Sequence, residues 1–123
     1  MYIGLTEDQQ KLRSELRAYY DRLLTPAVRE DLLREHGIGP KTKAVRQQMA
    51  KDGWLCFGWP KEFGGQGRDE VDHFIFFDEA MRAAAPVPML TVNTVGPTIM
   101  RYGTDEQKQF FLPKIAAGDL EFC

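Results

Sequence analysis

Apolar residues recur through most of this chain with the period of an α-helix, and no stretch alternates apolar with polar for more than four residues. A half-buried strand needs that alternation, so its absence restricts the chain to helical packing. Leu12, Leu16, Tyr19, Tyr20 and Leu23 fall at i, i+4, i+7, i+8 and i+11, one continuous stripe. Thr6 and Gln9 precede it with the spacing of a capping box, in which each side chain satisfies an otherwise orphaned amide of the first turn. Thr104 and Gln107 repeat that signature ahead of Phe110, Phe111, Leu112 and Ile115, which predict a last helix bent at Pro113 and ended by Gly118. Between these two, Thr25-Pro26 predicts a cap and first turn, with Leu32 and Leu33 as apolar contacts and Gly37 as the stop. A third helix is predicted over Thr42 to Asp52, with Val45 and Met49 on one side and Gly53 beyond it.

A fourth helix is expected from Asp69, where Val71, Phe74, Ile75, Phe76 and Met81 form an apolar face wide enough for burial around much of the circumference. "APVP", Ala85 to Pro88, interrupts it, because each proline disfavours helix in the residue before it. A fifth helix, Met89 to Tyr102, contains Gly96-Pro97, where a missing backbone donor predicts a kink. "DLEFC" remains at the end, short, partly apolar and expected to be unpaired. The expected fold is all-α, about six helices in an orthogonal or antiparallel bundle with short connections.

At 123 residues the chain is one domain by length. Its net charge of −2, with Lys and Arg scattered among Asp and Glu, offers neither nucleic acid nor an anionic membrane the concentrated positive charge they select. No apolar run reaches the ~18 residues a membrane span needs, and the N-terminus lacks the basic start and apolar core of a signal peptide. Cys56 and Cys123 form no CxxC pair and have no His at metal spacing, so reduced thiols and a cytoplasmic protein are expected.

The mid-chain stretch "GWPKEFGGQG", Gly58 to Gly67, is the only candidate phosphate loop, and it fails on chemistry. Arg68-Asp69 stands where Lys-Ser/Thr would be required, no strand precedes it, and GxGxxG is absent. Its glycines are expected to permit positive φ in a tight corner. Asp69 and His73 share a helix face, which suits a tuned general base or, as the simpler expectation, a surface ion pair. His36 sits near a helix end as a dipole-stabilising charge. The single serine, Ser14, lies mid-helix, and there is no HExxH or paired metal motif. The carboxylates are expected on polar faces. No residue qualifies as catalytic or as a metal ligand on its own chemistry.

Four stretches together carry a family signature: "LTEDQQKLRSELRAYY", "GWLCFGWPKEFGGQG", "DEAMRAAAPVP" and "VGPTIMRYGTDEQKQFFLPKIAAGDLEFC". In that order they resemble the N-terminal helical domain of the acyl-CoA dehydrogenases, and the resemblance covers essentially the whole chain. Within the family, "GWPKEFGGQG" and "APVP" followed by "GPTIMRYGTDEQK" are most similar to actinobacterial subunits that act on steroid side-chain CoA thioesters and tend to form α2β2 heterotetramers.

The resemblance implies a parent enzyme that removes the pro-R α hydrogen as a proton and the β hydrogen as a hydride to FAD, giving a trans-2-enoyl-CoA. Complete members are roughly three times as long, and the flavin β-domain and second helical bundle, with the catalytic glutamate and most flavin contacts, lie beyond the part matched. An excerpt or truncated piece is therefore expected, with an acyl-CoA substrate, the remaining dehydrogenase domains and a homo- or hetero-oligomer as partners. No catalytic, cofactor-binding or metal residue carries over. The glycine stretch becomes a corner between the third and fourth helices, with Trp59 and Phe63 plugging the bundle. Leu90, Thr91, Thr94, Val95 and Thr98 match one wall of the acyl pocket, although each could equally be ordinary core packing. Two other readings remain open at this point: a flavin-less subunit of a heteromeric dehydrogenase, and a stand-alone helical interaction module.

Overall fold

A computed structural model describes residues 3–123, in which six α-helices are joined by turns and no strand occurs among the described residues. The helices are α1 (Glu7–Leu23), α2 (Pro26–Arg34), α3 (Pro40–Lys51), α4 (Glu70–Ala83), α5 (Gly96–Tyr102) and α6 (Asp105–Ala116). A 3-10 turn, Lys61–Phe63, lies in the glycine-rich corner, and a π-helical turn, Thr91–Val95, leads directly into α5.

The start signals act as their residues predict. Thr6 and Gln9 exchange side-chain and backbone bonds at 3.2 and 2.9 Å, and Thr104 and Gln107 do the same before α6. Asp69 caps α4 through the Asp72 amide at 2.8 Å. The start of α3 has no cap of its own. There the Glu35 carboxylate, from just past α2, accepts from the amides of Lys41 and Thr42 and from the Thr42 hydroxyl at 2.8–3.0 Å. Burial opposes the charge, yet these three donors, with the amides leading, hold Glu35 below the usual carboxylate range. A side chain at Gly39 would collide with Glu35, its Cβ 2.1 Å from the carboxyl carbon.

The core is centred on α1 against α4. Leu12, Leu16 and Tyr20 meet Ile75, Phe76 and Ala80, all buried. From this pair a stack of aromatic rings runs outward: Phe76 lies on Phe57 at 5.3 Å and 14°, and Phe57 on Trp54 at 5.6 Å and 23°. Offset rings at such spacing add about 0.5–1.5 kcal/mol beyond the area they bury. Met49 of α3 and Leu112 and Ile115 of α6 close the core from other sides.

Several expectations change. α4 is buried on one side only, since Val71, Phe74 and Met81 are exposed; apolar content marks what a helix can bury, not what this chain supplies to cover it. Leu33 and Phe110 likewise face outward, and Val28 and Leu32 supply the contacts of α2. Not every carboxylate is on a polar face: Glu79 is 2% exposed and held bidentately by Arg17 at 2.8 and 3.0 Å. Finally, the tail is paired. Glu121 bridges to Arg46, Asp119 accepts from Gln47, and Phe122 docks on Thr91 and Phe111.

In the corner, Trp59 is buried and Phe63 packs partly against the core. Gly64 adopts φ +92°, as a tight corner requires. Gly65 does not have positive φ; it is needed for space, because a Cβ there would lie 1.9 Å from the Trp59 carbonyl oxygen. Backbone cannot yield as a side chain can. Gly64→Ala is therefore expected to cost about 1–2 kcal/mol, and Gly65→Ala more, in denaturant unfolding; equal, negligible losses at both sites would contradict this account of the corner.

Candidate functional site

Pro86 and Pro88 each sit at the centre of a tight three-residue turn after α4, closed by the Val87 amide on the Ala85 carbonyl at 2.8 Å and the Met89 amide on the Val87 carbonyl at 2.9 Å, and helix resumes at residues 89–90. Eight residues further on, Pro97 has no amide to give and its ring would press on the carbonyl of a regular turn below it. The chain answers with a wider turn. The Gly96 amide bonds the Thr91 carbonyl five residues back, and Thr91–Val95 take π geometry. Pro97 is thus accommodated by a change of hydrogen-bond register, where the sequence predicts only a kink. Wide turns of this kind occur often at functional sites.

One carbonyl is left over by this arrangement. In a π register Val92 would need the Pro97 amide, which does not exist, and the Gly96 amide is already engaged. The indole of Trp59 fills the gap, donating from Nε1 to the Val92 carbonyl at 2.8 Å. Its ring lies so close to Gly96 that a Cβ there would be 2.1 Å from Cζ2. The corner and the π turn are therefore keyed together by one side chain.

Keying divides the helix into two sides. Val92 and Gly96 face inward and are buried, as is Thr91, whose hydroxyl is engaged with the backbone of Phe122. Leu90, Thr94 and Thr98 lie exposed and Val95 is half-buried. The Thr98 hydroxyl turns back to donate to the Thr94 carbonyl at 2.7 Å. Of the residues expected to form one wall, the structure thus gathers Leu90, Thr94 and Thr98 on the open side and places Thr91 behind them. None of the clefts described among residues 3–123 is lined by Leu90, Thr94 or Thr98.

The nearest cleft, about 460 Å³, opens on the other flank, between Trp59 of the corner, His73 of α4, and Asn93, Pro97 and Arg101. His73 forms no ion pair with Asp69, whose carboxylate is taken by the cap of α4. Its ring lies 4.8 Å from that of Phe77, and its Nε2 is buried without a hydrogen-bond partner. Burial therefore holds the imidazole below its ordinary 6.5. Burial also pushes the Cys56 thiol up to about 12, so it stays protonated and unreactive at neutral pH; neither cysteine is bridged. Apart from His73 Nε2, the Tyr20 hydroxyl is the only buried side-chain polar atom without a partner among the described residues, and it lies in a different cleft, with Arg17 and Glu79. No described constellation pairs a nucleophile with a base, and none offers the cradle an extended dinucleotide cofactor would need. No helix among the described residues is long and apolar enough to cross a membrane.

Two consequences are measurable. Trp59→Phe keeps the packing but orphans the Val92 carbonyl, so unfolding should be easier by about 1–3 kcal/mol; a neutral effect would show that the indole bond is dispensable. For His73, the unfolded chain takes up a proton that the folded state resists. Stability should therefore fall as pH drops through 6.5 and level off only below the depressed folded value. His73→Gln should flatten that decline between pH 7.5 and 5.5 in thermal melts, and an unchanged slope would remove His73 as its source.

Comparison with known proteins gives a consistent result. Residues 6–119 match the family described as "Acyl-CoA dehydrogenase, N-terminal domain". The chain is 58% identical to acyl-CoA dehydrogenase FadE26 of Mycobacterium tuberculosis, over 99% of this chain and 31% of that protein. Its backbone superposes on the ChsE4-ChsE5 complex from Mycobacterium tuberculosis with a TM-score of 0.90 at 56% identity, over 99% of this chain and 31% of the matched one. For the Tcur3481-Tcur3483 steroid ACAD the TM-score is 0.88 at 46% identity, over 99% and 32%. The chain thus spans about a third of the length of these relatives.

Proposed function

The chain belongs to the acyl-CoA dehydrogenase family, as its N-terminal helical domain, and on that premise we propose that residues 1–123 form one wall of the acyl site in an enzyme that desaturates an acyl-CoA thioester between its α and β carbons. The observation that carries the reading is the two-sided helix over residues 89–102. Its inner side is fixed by Trp59 and the tail, and its outer side presents Leu90, Thr94 and Thr98 to space this domain does not fill. A wall needs that combination: a rigid back and an unoccupied front.

The side chains on the front suit an acyl chain. Leu90 and the half-buried Val95 are apolar, Thr98 has its hydroxyl turned onto the helix backbone, and none of them carries a charge. Short side chains leave room for a bulky group, and a steroid side-chain thioester is the substrate class we favour. Likeness to the Tcur3481-Tcur3483 steroid ACAD supports that class, and likeness to it and to the ChsE4-ChsE5 complex supports a heteromeric assembly, for which α2β2 is the form we favour. Exposed Phe74 and Met81 on α4 and Phe110 on α6 give such an assembly, and the remaining dehydrogenase domains, apolar surface to cover.

FAD is the cofactor this proposal assigns to the parent enzyme, as acceptor of the β hydrogen. The described residues do not fit it, for want of any cradle, so it would be held by other parts of the protein. This domain's contribution is binding and exclusion of water. Full-length protein supplied with FAD should accordingly reduce an electron-accepting dye when given a steroid side-chain CoA thioester, whereas the 123 residues alone should not. Thr94→Phe, which places a ring on the open side, should shift preference toward short acyl chains by about ten-fold in kcat/KM. An active variant with unaltered chain-size preference would mean that the acyl group lies elsewhere.

A further inference from the structure

We propose that Thr91 is a positioning residue for the acyl wall, acting through the backbone of Phe122 and not by touching substrate. The inference rests on the reading of residues 89–102 as that wall. Thr91 is fully buried at the first position of the π turn. Its hydroxyl accepts the Phe122 amide at 2.8 Å and donates to the Phe122 carbonyl at 3.2 Å. One side chain thus satisfies both backbone groups of a residue 31 positions away, as a neighbouring strand would.

The place of this clasp matters more than its strength. The hydrogen-bond register of the helix changes at Thr91, whose own carbonyl takes the Gly96 amide. A turn held in a wide register can slip by one residue, and one residue of slip rotates everything beyond it by about 100°. Thr94 and Thr98 would then leave the open side. Trp59 guards the turn at Val92, and Thr91 guards it one residue earlier.

The segment on the other side of the clasp is itself anchored. Glu121 pairs with Arg46, Asp119 accepts from Gln47 at 2.7 Å, and the Phe122 ring meets Phe111 at 5.9 Å. Arg46 also donates to the carbonyls of Pro86 and Gly37. α3, α6 and the segment leading into the wall therefore bear on Phe122 and its neighbours, and Thr91 transmits that position to the wall. A buried apolar residue would pack in the same space without transmitting anything.

The test compares Thr91→Val, which keeps the shape and removes the hydroxyl, with Thr91→Ser, which keeps the hydroxyl, in the full-length protein loaded with FAD. Thr91→Val should raise KM for a bulky acyl-CoA about five-fold relative to a short straight-chain one, with kcat little changed. Hydrogen exchange of the peptide covering 119–123 should quicken about ten-fold in the same variant. Thr91→Ser should match the wild type in both. An unshifted KM ratio alongside faster exchange overturns the coupling, unchanged exchange overturns the clasp, and equal effects of Ser and Val overturn the role of the hydroxyl. Should Thr91→Val not accumulate folded, Thr91→Ala takes its place in the same comparison. If the wild type oxidises no acyl-CoA, the proposed activity is wrong, while the exchange data still judge the clasp.

Discussion

The bond from the Trp59 indole to the Val92 carbonyl holds the two halves of this fold in register. Proline at 97 removes the amide that a wide turn would offer Val92, and a buried carbonyl without a donor is costly. A side chain from a corner 33 residues earlier supplies the donor instead. The glycines around Trp59 follow from this requirement. Gly65 lets the backbone pass the Trp59 carbonyl, and Gly96 lets the ring seat on the turn. What looks in isolation like a flexible loop is a rigid bracket whose conformation is set by one ring.

A rigid bracket makes an otherwise irregular helix usable. α1 and α4, joined by the Phe76 contacts and by the Arg17–Glu79 pair, form a platform. The aromatic stack carries that platform to the corner, and the corner carries it to the π turn. Breaking Arg17–Glu79 from the arginine side would leave a carboxylate buried without its counter-charge, a larger loss than that of a surface pair. The inner side of residues 89–102 is thereby immobilised through several elements. On the outer side Leu90, Thr94 and Thr98 are uncharged and exposed. Our proposal of a binding wall rests on that asymmetry.

Much of this was legible in the residues, because it depends on neighbours in sequence. Capping boxes at Thr6 and Thr104, the stripe of α1 and the stops at Gly37, Gly53 and Gly118 act within a few positions of themselves. The resemblance carried by "GWPKEFGGQG" and "GPTIMRYGTDEQK" identified the corner between the third and fourth helices, with Trp59 and Phe63 in it. The remainder depends on partners far apart. Glu35 caps a helix from outside it, Arg17 finds Glu79 across 62 positions, and Thr91 finds Phe122 across 31. Nothing in local spacing marks such pairs. The π register was half visible: Gly96-Pro97 signals disruption, but choosing between a kink and a wide turn needs the knowledge that an indole is waiting. The exposed faces of Phe74 and Met81 were misread for a related reason, since apolarity in a sequence does not say which molecule does the covering.

In the proposed enzyme the open side of residues 89–102 faces the acyl chain. A structure of the full-length protein with an unreactive acyl-CoA analogue tests it most directly. Acyl carbons should lie within about 4 Å of Leu90, Thr94 and Thr98, with Thr91 behind them still bonded to Phe122. An acyl chain lying elsewhere, with that side of the helix packed against other protein, would contradict it.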